Sequence, residues 1–439
     1  MTLGGLFKSA PASNPLEGLF RITVVAFEDK CNLNCGLRFA ELLKQNRLFD
    51  VNFFSEPFSK SFLNLQGRNF FDFIDRGNKI LSSTRSDILV WGYEEDGKIR
   101  LNFQVKEQYT IPSRLPFSLL DSLFVPLSYF SNPENFAESV LMLIFGIIIA
   151  TIKPVTEEQK LHQPKILREI IGILAQDNAP KDMGREFLPY MMNMLGKIYL
   201  SDRAENLSAQ DIEIIQNLFT KALDNRQYMR LPIYYGCIYS NMAQLYETAH
   251  EASKAESFEY LKLAIAGYQE AHKYLNRNYP YDYGLIAYHL ALLHFELWKH
   301  TLDLQALRDA VSQLRETEKV YSLAQFPQSW CHIEGLLGYY LSSLGLSTKS
   351  AMIMQLAIDC YKNQQKVFEQ YTYPQEWAKI QERIGKIYYL LGKNDQDEKL
   401  MLEAKNYYTS AIEIYSNLNM KHAVAEAKIL LGKVLDYIG

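Results

Sequence analysis

Cysteine is scarce in this chain: Cys31, Cys35, Cys237, Cys331 and Cys360 are an odd and scattered five among 439 residues. Such a set builds no disulfide framework and fits a reducing compartment, so a cytoplasmic location is expected. Charge of one sign is not in excess either, with 46 Lys and Arg against 50 Asp and Glu. Residues 1–130 hold 15 basic and 14 acidic side chains, and the remainder 31 and 36. Neither part has the basic surplus that neutralises a phosphate backbone, which excludes nucleic acid as a main partner. The first twenty residues carry one lysine and no continuous apolar core, so they do not read as a secretory signal.

Long apolar runs are also missing. The longest, Ser139 to Ile152, is bounded by Glu138 and Lys153 at fourteen residues, short of the roughly twenty that span a bilayer. It reads as a buried helix at the seam between two domains, and membrane attachment through it is the weaker alternative.

Signatures of chemistry are few. Cys31 and Cys35 have no second pair at metal-ligand spacing, and His289, His294 and His300 are five and six apart, which shares no helical face. No HExxH, GxSxG or GxGxxG occurs, and Glu157 and Glu158 lie in a charged, solvated run. Gly92 to Lys98 has the spacing of a phosphate-binding loop. However, Ile99 stands where a Ser or Thr should hold magnesium, and Glu94, Glu95 and Asp96 would face the phosphates. Asp96-Gly97 between alternating segments reads instead as a hairpin turn. The chain is therefore expected to be non-enzymatic, with no catalytic residues, no cofactor and no metal.

What is present is an echo. FPQSWCHIEGLLGYYLSSLG at Phe326–Gly345 returns as YPQEWAKIQERIGKIYYLLG at Tyr373–Gly392. Aligning them sets up a lattice of small residues, Gly196, Ala243, Ala291, Gly338, Gly385 and Gly432, in steps of 47, 48, 47, 47 and 47. Eleven residues before three of these anchors stand Pro280, Pro327 and Pro374, suited to the first turn of a helix. Tyr235, Tyr283, Trp330 and Trp377 precede anchors by eight residues, and Tyr199, Tyr246 and Tyr388 follow by three. After each anchor a second helix is expected, with small, aromatic and small residues in turn: Ala264, Tyr268, Ala271, and again Ala404, Tyr408, Ala411. Small residues let two antiparallel helices approach while the aromatic fills the space between them. The tryptophans read as packing residues of a helical solenoid.

Gly385, Tyr388, Ala404, Tyr408 and Ala411, with a proline leading into the next helix, resemble the tetratricopeptide repeat pattern over residues 185–439. The period of about 47 exceeds the usual 34, and HEAT-type repeats are the fold alternative. The resemblance implies a concave groove, lined by the first helix of each hairpin, that binds a segment of a partner protein. Counted six and three before each anchor and one and four after it, the groove positions are Asn193, Lys197, Ser240, Gln244, Glu247, Tyr288, His332, Tyr339, Lys379, Glu382, Lys386 and Tyr389.

The front of the chain has a different pattern. RITVVAFED, FDVNFFSE and the hairpin SDILVWGYEEDGKIRLNFQV alternate with two helical segments, giving β-α-β-α-β-β with Ile99, Leu101, Phe103 and Val105 on one face. ITVVAFED and SDILVWGYEEDGKIRLNF resemble the N-terminal domain of TolB and related bacterial modules. That resemblance implies a bacterial docking or assembly domain; the β-propeller and export signal of TolB are absent.

The expected class is α+β: a flexible segment 1–20, a small α/β sandwich 21–130, apolar connecting helices 131–184 and a tetratricopeptide-like solenoid 185–439. The expected function is a non-enzymatic adaptor or scaffold in protein-protein interaction. The alternative is a bacterial regulatory sensor whose α/β domain binds a small ligand and signals through the solenoid.

Overall fold

The computed structural model describes residues 18–30, 33–57, 68–106, 108–112, 118–132, 136–175, 184–229, 231–253 and 258–438. Most of the segment 1–20, and Cys31, lie outside them. The protein is α+β: a five-stranded sheet followed by a long series of helices. Two compact units emerge, one of residues 1–109 with 113–283, the other of 110–112 with 284–439. The division between them falls inside one helix, whereas the sequence places boundaries at 130 and 184.

In the first unit the strands are β1 (Phe20–Val25), β2 (Phe49–Phe54), β3 (Ile88–Glu95), β4 (Lys98–Val105) and β5 (Leu123–Pro126), in the order β2-β1-β3-β4-β5. β1 pairs parallel with both β2 and β3, in register Phe20 with Phe49 and Ile22 with Ile88. β4 and β5 add on antiparallel. β3 is buried from Ile88 to Tyr93, as its unbroken apolar run requires of a central strand. Asp96 at φ 49° and Gly97 at φ 74° make the two-residue turn into β4, the geometry that Asp-Gly favours. β5 was not anticipated; LFVP is too short to show an alternation.

The pleat of β4 sorts the layers. Ile99, Leu101, Phe103 and Val105 join the core that also holds Phe39 and Leu43 of α1 (Cys35–Lys44). On the opposite face Gln104 donates to the carbonyl of Ile74 at 2.9 Å, in α2 (Arg68–Thr84). A short α3 (Leu127–Ser131) leads to α4 (Glu138–Thr151), which is buried at every position from Ser139 to Thr151. Phe145 of α4 meets Phe49 of β2 edge to face at 5.1 Å. On α4 a Cβ at Gly146 would come within 2.8 Å of Ile198, so only glycine admits the next layer this closely. α5 (Glu157–Leu174) opens with a capping box between Thr156 and Gln159. The apolar run thus joins the sheet to the first helical hairpin in a single core. Among the described residues, no helix is long and apolar enough to cross a membrane.

The helical hairpins follow in sequence. The first unit contains α6 (Leu188–Arg203) with α7 (Ala209–Asp224), α8 (Ile233–Ala252) with α9 (Phe258–Tyr274), and the start of α10 (Pro280–Thr301). The second contains the rest of α10, α11 (Leu304–Val320), α12 (Pro327–Thr348), α13 (Ala351–Gln364), α14 (Pro374–Asp395), α15 (Glu398–Asn417) and α16 (Lys421–Ile438). Pro280, Pro327 and Pro374 each begin a helix. Two of the lattice anchors sit where partner helices touch: a Cβ at Gly196 would lie 2.6 Å from the Phe219 ring, and one at Gly338 2.7 Å from the Tyr361 ring. Trp330 is buried and Trp377 half-buried, both within these hairpins.

Candidate functional site

A lone aspartate marks the start. Asp121 is the one charged residue of PFSLLDSLFVP, the stretch that leads into and includes β5, and its carboxylate is almost wholly enclosed. Lys197 of α6 reaches it at 2.7 Å, and Asn193, one turn earlier, donates to it at 3.2 Å. Asn241 of α8 donates at 3.4 Å and also to the Asn193 side-chain oxygen at 2.8 Å. The Ser118 amide donates to the same carboxylate at 2.9 Å. A buried ion pair needs such extra donors to offset the loss of hydration.

The neighbouring residues tie down the same stretch. The hydroxyls of Ser118 and Tyr109 both donate to Asp282 in the first turn of α10. Burial raises the Asp282 carboxyl to about 6, opposed by the Ser118 hydrogen bond and assisted by the charge of Asp121. Arg100 of β4 donates to the Ser122 hydroxyl at 2.8 Å and to the Tyr93 hydroxyl at 2.9 Å. Its guanidinium lies 5.6 Å from the Phe124 ring centre and 5.5 Å from that of Tyr234 in α8. Residues 118–124 are therefore a non-helical segment of this chain gripped by polar side chains of the first helices α6, α8 and α10.

This changes the standing of the foreseen groove residues. Asn193 and Lys197 face the chain's own Asp121 rather than solvent, because the front domain supplies a segment that covers them. Glu247 is buried and accepts from the Tyr268 hydroxyl at 2.8 Å, inside the α8–α9 hairpin. Ser240 and Gln244 are half-buried. Asp121, Ser118 and Asn241 were not foreseen; the one available signal was a single acid inside an otherwise uncharged stretch.

In the second unit the same register is buried at its start and more exposed further along. Tyr288 is buried, with its hydroxyl 3.1 Å from the His332 ring nitrogen. Burial lowers the His332 pKa. Tyr339 is 51% exposed, Lys379 and Lys386 are exposed, and Tyr389 is half-buried. Glu382 accepts from the Tyr415 hydroxyl at 3.2 Å and so is engaged by α15. Arg383, exposed on α14 between Lys379 and Lys386, was missed because it lies off the counted positions.

The front sheet offers one further place for a ligand, the ends of β1 and β3 where parallel strand order reverses. There the Asp29 carboxylate accepts from the amides of Leu33 and Cys35, both at 2.9 Å, at the start of α1. The chain's own carboxylate takes the donors that an anionic ligand would use. Cys35 is buried, and burial, with Asp29 beside it, pushes its thiol to about 12, far from a reactive thiolate.

No protein-family model and no curated protein matches the chain.

Proposed function

We propose that this protein is a non-enzymatic adaptor or scaffold whose tetratricopeptide-like hairpins bind a segment of a partner protein. The observation that carries the reading is the first unit's treatment of residues 118–124. There, Asn193 and Lys197 at the groove register, together with Asn241, hold a non-helical stretch of polypeptide through Asp121. At the same register in the second unit, Tyr339, Lys379 and Lys386 are exposed. A face that grips chain in one hairpin and is open in another is suited to a partner segment. The small-to-aromatic contacts at Gly196 and Gly338 favour the tetratricopeptide-like assignment. The front sheet, read as a TolB-like docking module, serves here to occupy the first two hairpins. The described cysteines, all buried and free, suit a cytoplasmic protein.

The test is affinity capture with the full chain, followed by hydrogen exchange of the purified complex. A stoichiometric partner that protects the peptides of α12 and α14 is the expected result. Protection confined to other helices would refute the groove, and the absence of any stoichiometric partner would refute the adaptor.

A second reading, a ligand sensor, is favoured by the single core that runs from the sheet through α4 to α6. Melting of the full chain across a nucleotide and metabolite panel checks it, since a ligand of the folded state must raise its stability. A flat panel removes this reading.

A further inference from the structure

We infer that α14 docks a non-helical partner segment in which acidic and apolar residues alternate. The inference rests on the adaptor reading and specifies the chemistry of its partner.

Four cations, Lys379, Arg383, Lys386 and Lys393, are exposed on α14 at intervals of four, three and seven residues, which places them on one helical face. None of the four makes an ion pair among the described residues. The acids of the same helix leave the row in cationic excess: Glu382 is the one acid within its face and accepts from Tyr415, Asp395 lies on the far side by helical register, and Glu376 in the first turn pairs with none of the four. On the adjacent α16, Glu426 is 3.4 Å from His422.

The register supplies the second observation. Lys386 stands one residue after its anchor, as Lys197 does on α6, and Arg383 two residues before, as Asn241 does on α8, while Glu382 takes the place of Asn193. Those two positions in the first unit hold the Asp121 carboxylate of a non-helical segment. α14 thus carries on one helix two cations at places that, on two successive first helices of the first unit, hold a carboxylate; both are exposed, with the Arg383 guanidinium 5.7 Å from the Tyr361 ring centre.

The third observation concerns α12, the preceding first helix. At one and eight residues after its anchor it exposes Tyr339 and Leu346, 51% and 47% accessible, where α14 has Lys386 and Lys393. An apolar row and a cationic row thus occupy matching positions on successive first helices. In an extended segment alternate side chains point to opposite sides, so alternating acids and apolar residues satisfy both rows. Lys379 to Lys393 spans about 21 Å of helix, the reach of roughly six extended residues.

The experiment uses the full chain and a fluorescein-labelled octapeptide of alternating Glu and Leu, with a Gln and Leu octapeptide as the uncharged control, followed by anisotropy. The acidic peptide is expected to bind at least about tenfold more tightly than the control, and less tightly as salt rises from about 50 to about 300 mM. The double variant Lys379→Glu with Lys386→Glu should weaken it by about tenfold, Tyr339→Ser should weaken it too, and Lys160→Glu, on α5, should not. These are exposed positions, and an unchanged circular dichroism spectrum verifies that the variants fold. Equal binding of the two peptides, no binding of the acidic one, or indifference to the double variant overturns the inference. A partner captured by the full chain and retained by the double variant also overturns it, while leaving the adaptor reading intact. Failure to capture any partner removes both.

Discussion

Replacing Lys197 by methionine tests the grip on Asp121 most directly. Both side chains are enclosed, at 3% and 1% accessibility, and the nitrogen and oxygen are 2.7 Å apart. Methionine keeps much of the apolar stem but leaves a buried carboxylate that only Ser118, Asn193 and Asn241 still satisfy. Removing one partner of a buried pair costs about 3–5 kcal/mol. The three remaining donors set the expectation at the lower end, about 3 kcal/mol, a factor of about 150 in the opening equilibrium. Hydrogen exchange on the full chain measures it by peptide, with α6 and β5 as reporters and α14, in the other compact unit, as internal reference. Protection should fall by that factor in the reporters and hold in the reference. Adding Asp121→Asn removes the stranded charge and should restore stability to within about 1 kcal/mol of the parent. A loss below about 1 kcal/mol from Lys197→Met, or a double variant less stable than the single one, would refute the claim that this pair anchors the segment.

Three further outcomes are expected. Asp282 holds its proton more tightly folded than unfolded, with its carboxyl raised from 3.8 to about 6. Its contribution to stability is therefore greatest below about pH 4 and is lost as pH rises through 6; urea midpoints from pH 4 to pH 8 should show this slope in the parent and a flatter one in Asp282→Asn. Gly338→Ala forces a Cβ to within 2.7 Å of the Tyr361 ring and should cost about 1–3 kcal/mol. Gly432→Ala meets nothing within 4 Å and should stabilise the last described helix by up to about 1 kcal/mol, both changes being read from thermal melting.

Much of the fold was legible in the chain because it is written in local periodicity. The steps of 47 or 48 between small residues, and the prolines eleven residues earlier, predict where first helices begin and where partner helices touch; Pro280, Pro327 and Pro374 begin helices, and Gly196 and Gly338 meet aromatic rings. The Asp-Gly turn and the alternation from Ile99 to Val105 were equally local, since turn geometry and pleat depend on neighbours in sequence. Fourteen apolar residues in a row required a buried helix, and α4 is one.

Register along a helix assigns a face, but what covers that face depends on residues far away in sequence. Lys197 and Lys386 occupy the same place in their repeats, and nothing local separates them. Asp121, 76 residues before Lys197, returns beside it only because the sheet, α4 and the first hairpin close into one core. Sequence alone determined the repeats, their period and the strands β1 to β4 of the front domain. Tertiary structure alone decided which repeats keep their face open and which are filled by the chain itself, because burial of a charge is a property of the assembled core and not of the helix that carries it.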